Sequence, residues 1–228
     1  MQLDVLERIR GGLIVSCQAL PEEPLHSSFI MGRMAVAAQR GGAAGIRANS
    51  AEDIAVIKSL VDLPLIGIVK REYAGCPVYI TPTLQEVDAL AQAGCEIIAL
   101  DATQRSRPDG QSLESFFARV RAKYPRQLFM ADCSSYEEGM AAAALGFDLI
   151  GTTLSGYTPY TQGAPSPNLP LMATLAKNCG KPVIAEGGIW TPEQLRLCLD
   201  CGVHAAVVGT AITRPMEITR RFAAALLP

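Results

Sequence analysis

Two ionisable residues close apolar runs, where they are costly to place: Lys70 at the end of LIGIVK, and Glu186 at the end of VIAE, just before GGIWTPEQL. A charge leaving water loses several kcal/mol of solvation unless it meets a partner or a polar, ligand-filled mouth. A lysine titrates at about 10.4 in water and is a poor base at neutral pH unless burial or a neighbouring cation lowers that value. Arg47 would lower it and Glu186 would raise it. The sequence leaves open which of the two wins, and also a purely structural ion pair of Lys70 with Glu186 or Asp132.

Read in order, the polar residues at the ends of the apolar runs are Gln18, Arg47, Lys70, Asp101, Asp132, Thr152 with Thr153, Glu186, and Gly209 with Thr210. Singly, each could simply mark where a strand leaves a core; together they form a set able to bind a polar ligand and move protons. Two glycine motifs join them. EGGI contributes Gly187 and Gly188, and VVGTAITRP contributes Gly209, Thr210 and the nearby Arg214. Glycine lets backbone N–H groups approach an anion, and a helix N-terminus adds a favourable dipole. The pairing of the two motifs points to a phosphate site, with Glu186 facing whatever the phosphate carries.

The elements that would position these residues are legible. Strands are predicted at 13–18, 43–48, 65–70, 97–102, 128–133, 148–153, 183–188 and 205–210. They are continuous apolar runs, as in parallel strands covered on both faces. Their starts lie 20 to 35 residues apart, room for one crossover helix each. Thr83–Glu86, Ser135–Glu138 and Thr191–Gln194 have capping-box spacing, and Pro192 falls at a first helical position. Eight such units imply an α/β fold, a (β/α)8 TIM barrel forming a single domain over residues 1–228, with chemistry at the C-terminal strand ends. A doubly wound open sheet is disfavoured, because no GxGxxG follows the first strand. The irregular stretch 153–168, rich in Gly, Pro, Ser and Tyr, would lie over the catalytic face.

Composition excludes several classes. The chain has 228 residues, 49% hydrophobic and 18% charged, with net charge −2, which offers no electrostatic reason for nucleic acid or an anionic membrane as partner. No signal peptide or membrane-spanning run is visible, and seven scattered cysteines read as reduced thiols, so a cytoplasmic location is expected. Cys198–Cys201 has CxxC spacing but falls at a predicted helix end, and reads as core rather than as a redox or zinc site. His26 and His204 lack a nucleophile partner, two histidines exclude a His-rich metal site, and RSRPDG (105–110) reads as a solvated turn. A homodimer or higher homo-oligomer is left open.

The ordered motifs SCQALP, GIRAN, GIVKREY, ITPT, DCS, GTTLSGYT, IAEGGIWTPEQ and VVGTAITRP resemble, over essentially the whole chain, the N-acetylmannosamine-6-phosphate 2-epimerases of sialic acid catabolism. The resemblance implies a (β/α)8 barrel converting N-acetylmannosamine 6-phosphate to N-acetylglucosamine 6-phosphate without metal or organic cofactor. It implies Lys70 and Glu186 as catalytic residues, Gln18, Arg47 and Asp132 as substrate contacts, and Arg214 with the two glycine sites near the phosphate. Thr153 joins the substrate-binding candidates from its strand-end position. Inverting C2 requires the open-chain aldehyde, a base, an opposing proton donor and a group to hold the developing oxyanion. Two rivals remain: a Schiff-base aldolase or lyase working through Lys70, and a catalytically silent phosphosugar-binding protein.

Overall fold

The computed structural model describes residues 2–108 and 110–226, so the expected domain limits at 1 and 228, and Asp109 of the RSRPDG stretch, lie outside the described residues. Eight parallel strands, β1 (Leu13–Cys17), β2 (Gly45–Asn49), β3 (Leu65–Ile68), β4 (Ile97–Asp101), β5 (Leu128–Asp132), β6 (Leu149–Gly151), β7 (Val183–Glu186) and β8 (Ala205–Val208), pair in sequence order. The ring closes where Leu13, Ile14 and Val15 of β1 pair with Ala206, Val207 and Val208 of β8. The fold is therefore the expected (β/α)8 barrel.

Around it run α1 (Gln2–Ile9), α2 (Ser28–Arg40), α3 (Ala51–Leu60), α4 (Leu84–Ala93), α5 (Leu113–Lys123), α6 (Tyr136–Leu145), α7 (Leu169–Asn178), α8 (Pro192–Asp200), α9 (Thr210–Thr213) and α10 (Pro215–Ala224). Two of these exceed the expected eight. Helix α1 precedes the first strand, and the four-residue α9 splits the last crossover, because Pro215 restarts the helix as α10. The capping boxes form at Thr83/Glu86, Ser135/Glu138 and Thr191/Gln194, and fix the starts of α4, α6 and α8.

Strand alternation divides the apolar residues into two cores. Ile14, Ile66, Ile68, Ile97, Ala99, Leu128, Met130, Leu149, Ile184 and Val207 fill the barrel interior, which Val5 and Ile9 of α1 join. Their neighbours Val15, Cys17, Ile46, Ala48, Leu65, Ile98, Leu100, Phe129, Ala131, Ile150 and Ala185 pack outward in a separate cluster. This explains the continuous apolar runs: both faces are covered. It also sets what reaches the mouth. Continuing the interior parity by two residues from Ser16, Ile68, Met130, Gly151, Ile184 and Val207 leads to Gln18, Lys70, Asp132, Thr153, Glu186 and Gly209.

Except for β2, which runs one residue further, to Asn49, the strands end one or two residues earlier than expected, because their last residues leave the ladder to build the mouth. Lys70 is one of these: it lies beyond β3 in an isolated antiparallel bridge with Ile80. RSRPDG is not a solvated turn. Arg107 is 4% exposed, donates from Nη1 to Pro82 O at 2.9 Å and lies over the Phe116 ring, while Arg105 is clamped to buried Asp101. Arg107 finds an acceptor in the neighbouring βα loop, which the local sequence could not reveal, whereas Arg105 turns back on Asp101 and Thr103 of its own segment. Cys198 is buried at the end of α8, where burial pushes its thiol up to about 11. His204 Nε2 lies 2.8 Å from Leu6 O, at the opposite end from the mouth, and no described group of three or more His, Cys, Asp or Glu could hold a metal ion.

Candidate active site

A cavity of about 470 Å3 opens at the C-terminal end of the barrel. It brings together Gln18, Arg47, Lys70, Thr153 and Glu186 with Gly187, Gly188, Gly209, Thr210 and Arg214. Ten of the eleven expected site residues thus line one space, although they come from six different βα segments.

Arg47 organises its centre. On β2 between outward-facing Ile46 and Ala48, it is 1% exposed and points inward. Nη2 donates to Asp132 Oδ2 at 2.6 Å, and Nη1 donates to Asp132 Oδ1 at 3.1 Å and to Glu186 Oε2 at 2.9 Å. Burial works against the guanidinium charge, but the two carboxylates outweigh it and hold its pKa above the ordinary arginine value. Its Nε is buried without a hydrogen-bond partner among the described residues. The eleventh residue, Asp132, departs from the expected direct substrate contact. Its side chain is fully buried behind Arg47, off the cavity wall, and its carboxylate is occupied by Arg47 and Thr153 rather than by Lys70. A cation beside it compensates the buried carboxylate, which is why it turns to Arg47.

Glu186 is held at both backbone and side chain. Thr152 Oγ1 donates to Glu186 O at 2.9 Å and accepts from Glu186 N at 3.0 Å. Thr153 Oγ1 lies 2.6 Å from Asp132 Oδ1 and 3.2 Å from Glu186 Oε2, so its one proton is shared between the two acids. Burial first, and Asp132 further, raise the Glu186 pKa; Arg47, Thr153 and Lys70 oppose them without cancelling the rise.

Lys70 resolves the question left open by its sequence. Neither structural ion pair forms: among the described residues its ammonium has no carboxylate within salt-bridge distance, while Arg47 takes both acids. Burial, then Arg47 and Arg214, lower its pKa to about 8, against the upward pull of Glu186 and Glu23. Its backbone is fixed by the Asn49 side chain, whose Oδ1 accepts from Lys70 N at 2.7 Å. The result is a lysine able to lose its proton near neutral pH.

The phosphate candidates gather at the ends of β7 and β8. Gly187 and Gly188 have φ of +106° and +70°, and a side chain at Gly188 would meet Ser166, so only glycine admits this close approach. Gly209 caps α9, whose first amides have no intrahelical acceptor. Arg214 is paired with Glu23 from the β1–α2 loop. Glu23, Ser16, Tyr79, Tyr157, Ser166, Trp190 and Glu217 also line the cavity and escaped the sequence reading. Ser16 shares the parity of Gln18, and Tyr157 and Ser166 lie in the stretch 153–168 singled out as a unit, whereas nothing local marks Glu23 or Tyr79.

The family model described as "Putative N-acetylmannosamine-6-phosphate epimerase" matches residues 31–227. A relative named a 2-epimerase of that phosphosugar, from Caldanaerobacter subterraneus subsp. tengcongensis, is 54% identical over 222 residues, covering 97% of this chain and 94% of its own. One from Clostridium perfringens is 55% identical over 218 residues, covering 96% and 98%. The solved structure of an N-acetylmannosamine-6-phosphate 2-epimerase from Clostridium perfringens superposes with TM-score 0.92 at 54% identity, over 97% of this chain and 96% of that one. A thiamine phosphate pyrophosphorylase from Pyrococcus furiosus, 18% identical with TM-score 0.61, shares the fold alone. With its motifs, its barrel and this level of identity over nearly its whole length, the chain belongs to the N-acetylmannosamine-6-phosphate 2-epimerase family.

Proposed function

We propose that the chain interconverts N-acetylmannosamine 6-phosphate and N-acetylglucosamine 6-phosphate by removing the proton at C2 of the sugar and returning one to the other face. The observation that carries this reading is Lys70, without a carboxylate partner among the described residues and with a pKa of about 8, on the same cavity as Glu186, whose pKa is raised, with the Arg47 guanidinium paired to Glu186 and lowering the lysine.

The phosphate docks on Gly187, Gly188, Gly209 and Thr210, with Arg214 turning to it from Glu23. Anchored there, the open-chain sugar is held in reactive geometry. Neutral Lys70 takes the C2 proton, and the C–H electron pair moves into a C1–C2 enolate whose oxygen faces Arg47 and Gln18. Stabilising that charge in a buried site is where most of the rate is gained. In the reacting form Glu186 takes up a proton, which the upward shift of its pKa by burial favours, and returns it to the opposite face. Lys70 and Glu186 then reset by exchange with solvent. Asp132 and Thr153 act through Arg47 and Glu186, keeping both oriented.

Membership of a 2-epimerase family favours this chemistry over a Schiff-base lyase. All seven cysteines are free thiols, which supports a reducing, cytoplasmic setting, and no described helix is long and apolar enough to cross a membrane.

Proton NMR of the protein with N-acetylmannosamine 6-phosphate in D2O tests the reading. Expected is conversion to the gluco epimer with deuterium at C2. Conversion with the C2 hydrogen retained would keep the activity but replace the two-group scheme by a shielded single base. No conversion by folded protein, together with a substrate-dependent borohydride adduct on Lys70, would replace the epimerase by a lyase.

A further inference from the structure

Three features stand outside the chemistry just described: Asp101, which ends β4 with inward parity but does not reach the cavity; Arg105, partly buried in the loop after β4; and Tyr79, which lines the cavity beside Lys70. They form one chain of contacts. Asp101, fully buried, holds Arg105 Nη2 at 2.6 Å, and Thr103 Oγ1 bridges the two, donating to Asp101 Oδ1 at 2.7 Å and accepting from Arg105 Nε at 3.0 Å. The Arg105 guanidinium in turn lies 5.9 Å from the centre of the Tyr79 ring. The Tyr79 backbone is tied in place, its carbonyl accepting from Arg71 N at 2.9 Å. Its hydroxyl has no hydrogen-bond partner among the described residues. A tyrosine fixed at backbone and ring, with its donor free at a cavity wall, is built to meet a ligand.

Position says which part of the ligand. In a closed ring of eight strands in sequence order, β3 and β4 stand opposite β7 and β8. The phosphate candidates follow β7 and β8; Lys70 and Tyr79 follow β3. A sugar anchored by its C6 phosphate therefore extends across the mouth and presents C1 and C2, with the acetamido group, to the Tyr79 side. Burial raises the Tyr79 pKa, so its hydroxyl keeps its proton as a donor.

Building on the epimerase reading, we propose that Tyr79 is a substrate-contacting specificity residue that donates its hydroxyl hydrogen bond to the acetamido carbonyl, and that Asp101 and Arg105 are positioning residues acting through it.

Titration calorimetry on the full chain compares the equilibrated N-acetylhexosamine 6-phosphates with mannose 6-phosphate, which keeps the phosphate but lacks the acetamido group. In Tyr79→Phe, affinity for the first falls about 3- to 10-fold, the scale of one net hydrogen bond, while affinity for mannose 6-phosphate is unchanged. Arg105→Gln gives a smaller loss of the same kind, which disappears in the Tyr79→Phe background. Equal affinity changes for both ligands, or none, would overturn the role of Tyr79; additive effects of the two variants would overturn that of Arg105. The binding ratio is independent of turnover. Wild-type protein that discriminates between the ligands but fails to epimerise would overturn the reaction and leave the Tyr79 contact standing.

Discussion

Arg47 meets Glu186 across 139 positions of sequence, its Nη1 lying 2.9 Å from Oε2, while the same guanidinium clasps Asp132 through both carboxylate oxygens. One buried cation thus balances two acids that would otherwise repel each other, and it leaves Lys70 without a counter-ion. The lowered pKa of the lysine follows from its burial first and from this neighbouring cation next.

Removing the shared cation should be costly twice over. Arg47→Gln is expected to lower stability by about 3 kcal/mol or more, since it strands two neighbouring buried carboxylates, and to cut turnover by about 10²-fold or more. Urea denaturation and the C2-deuteration assay would measure the two effects. An Arg47→Gln variant of wild-type stability would show that the acids neutralise each other by sharing a proton.

Lys70→Ala should abolish deuterium incorporation at C2 while retaining binding of mannose 6-phosphate, because Gly187, Gly188 and Gly209, the proposed phosphate site, lie across the mouth. Residual turnover above a hundredth of wild type would remove Lys70 from the role of base.

The lysine also predicts two pH dependences. As a base it works unprotonated, so kcat/KM should rise with pH through about 8. Its folded pKa lies below its unfolded value of 10.5, so between about 8 and 10.5 the unfolded chain binds more protons and this group makes stability rise with pH. Urea midpoints of wild type and Lys70→Met, compared across that window, should diverge as the pH increases, with the wild type gaining. Parallel curves would place the folded pKa near its ordinary value.

The two adjacent glycines should differ. Gly187→Ala meets nothing closer than 3.9 Å and carries only the strain of positive φ, about 1–2 kcal/mol. Gly188→Ala bears a similar strain and also drives a Cβ into Ser166, whose own Cβ and carbonyl carbon lie within 3.0 Å, adding about 1–3 kcal/mol. Thermal melts should rank Gly188→Ala below Gly187→Ala, and phosphosugar affinity should follow the same order.

Glu138 should hold more than its helix. Its Oε2 accepts from Ser134 N and Ser135 N at the start of α6, and its Oε1 accepts from Gln104 N and from Tyr160 in the stretch 153–168. Glu138→Ala is expected to cost about 2 kcal/mol and to speed amide exchange around Tyr160. Exchange confined to α6 would limit Glu138 to a cap.

The capping box at Ser135–Glu138 could be read from four residues, yet its tie to Tyr160 could not, and that contrast runs through the molecule. Strand runs, caps and terminal polar residues are local signals, written at separations of two to four positions, so barrel, mouth and candidate residues were legible from the chain alone. Parity even selects Thr153 rather than Thr152 for the interior, while Thr152 holds the Glu186 backbone. Partnership was not legible. That Arg47 takes both Asp132 and Glu186, that Arg214 rests on Glu23, and that Arg105 is clamped to Asp101 are choices among several possible cation–anion pairs. They are settled only when barrel closure sets distances across the mouth, because electrostatic energy depends on spatial separation and burial, which residue order does not encode. The sequence by itself determined which groups arrive at the mouth. The tertiary structure decided which of them are neutralised there and left Lys70 buried beside Arg47 without a carboxylate partner among the described residues.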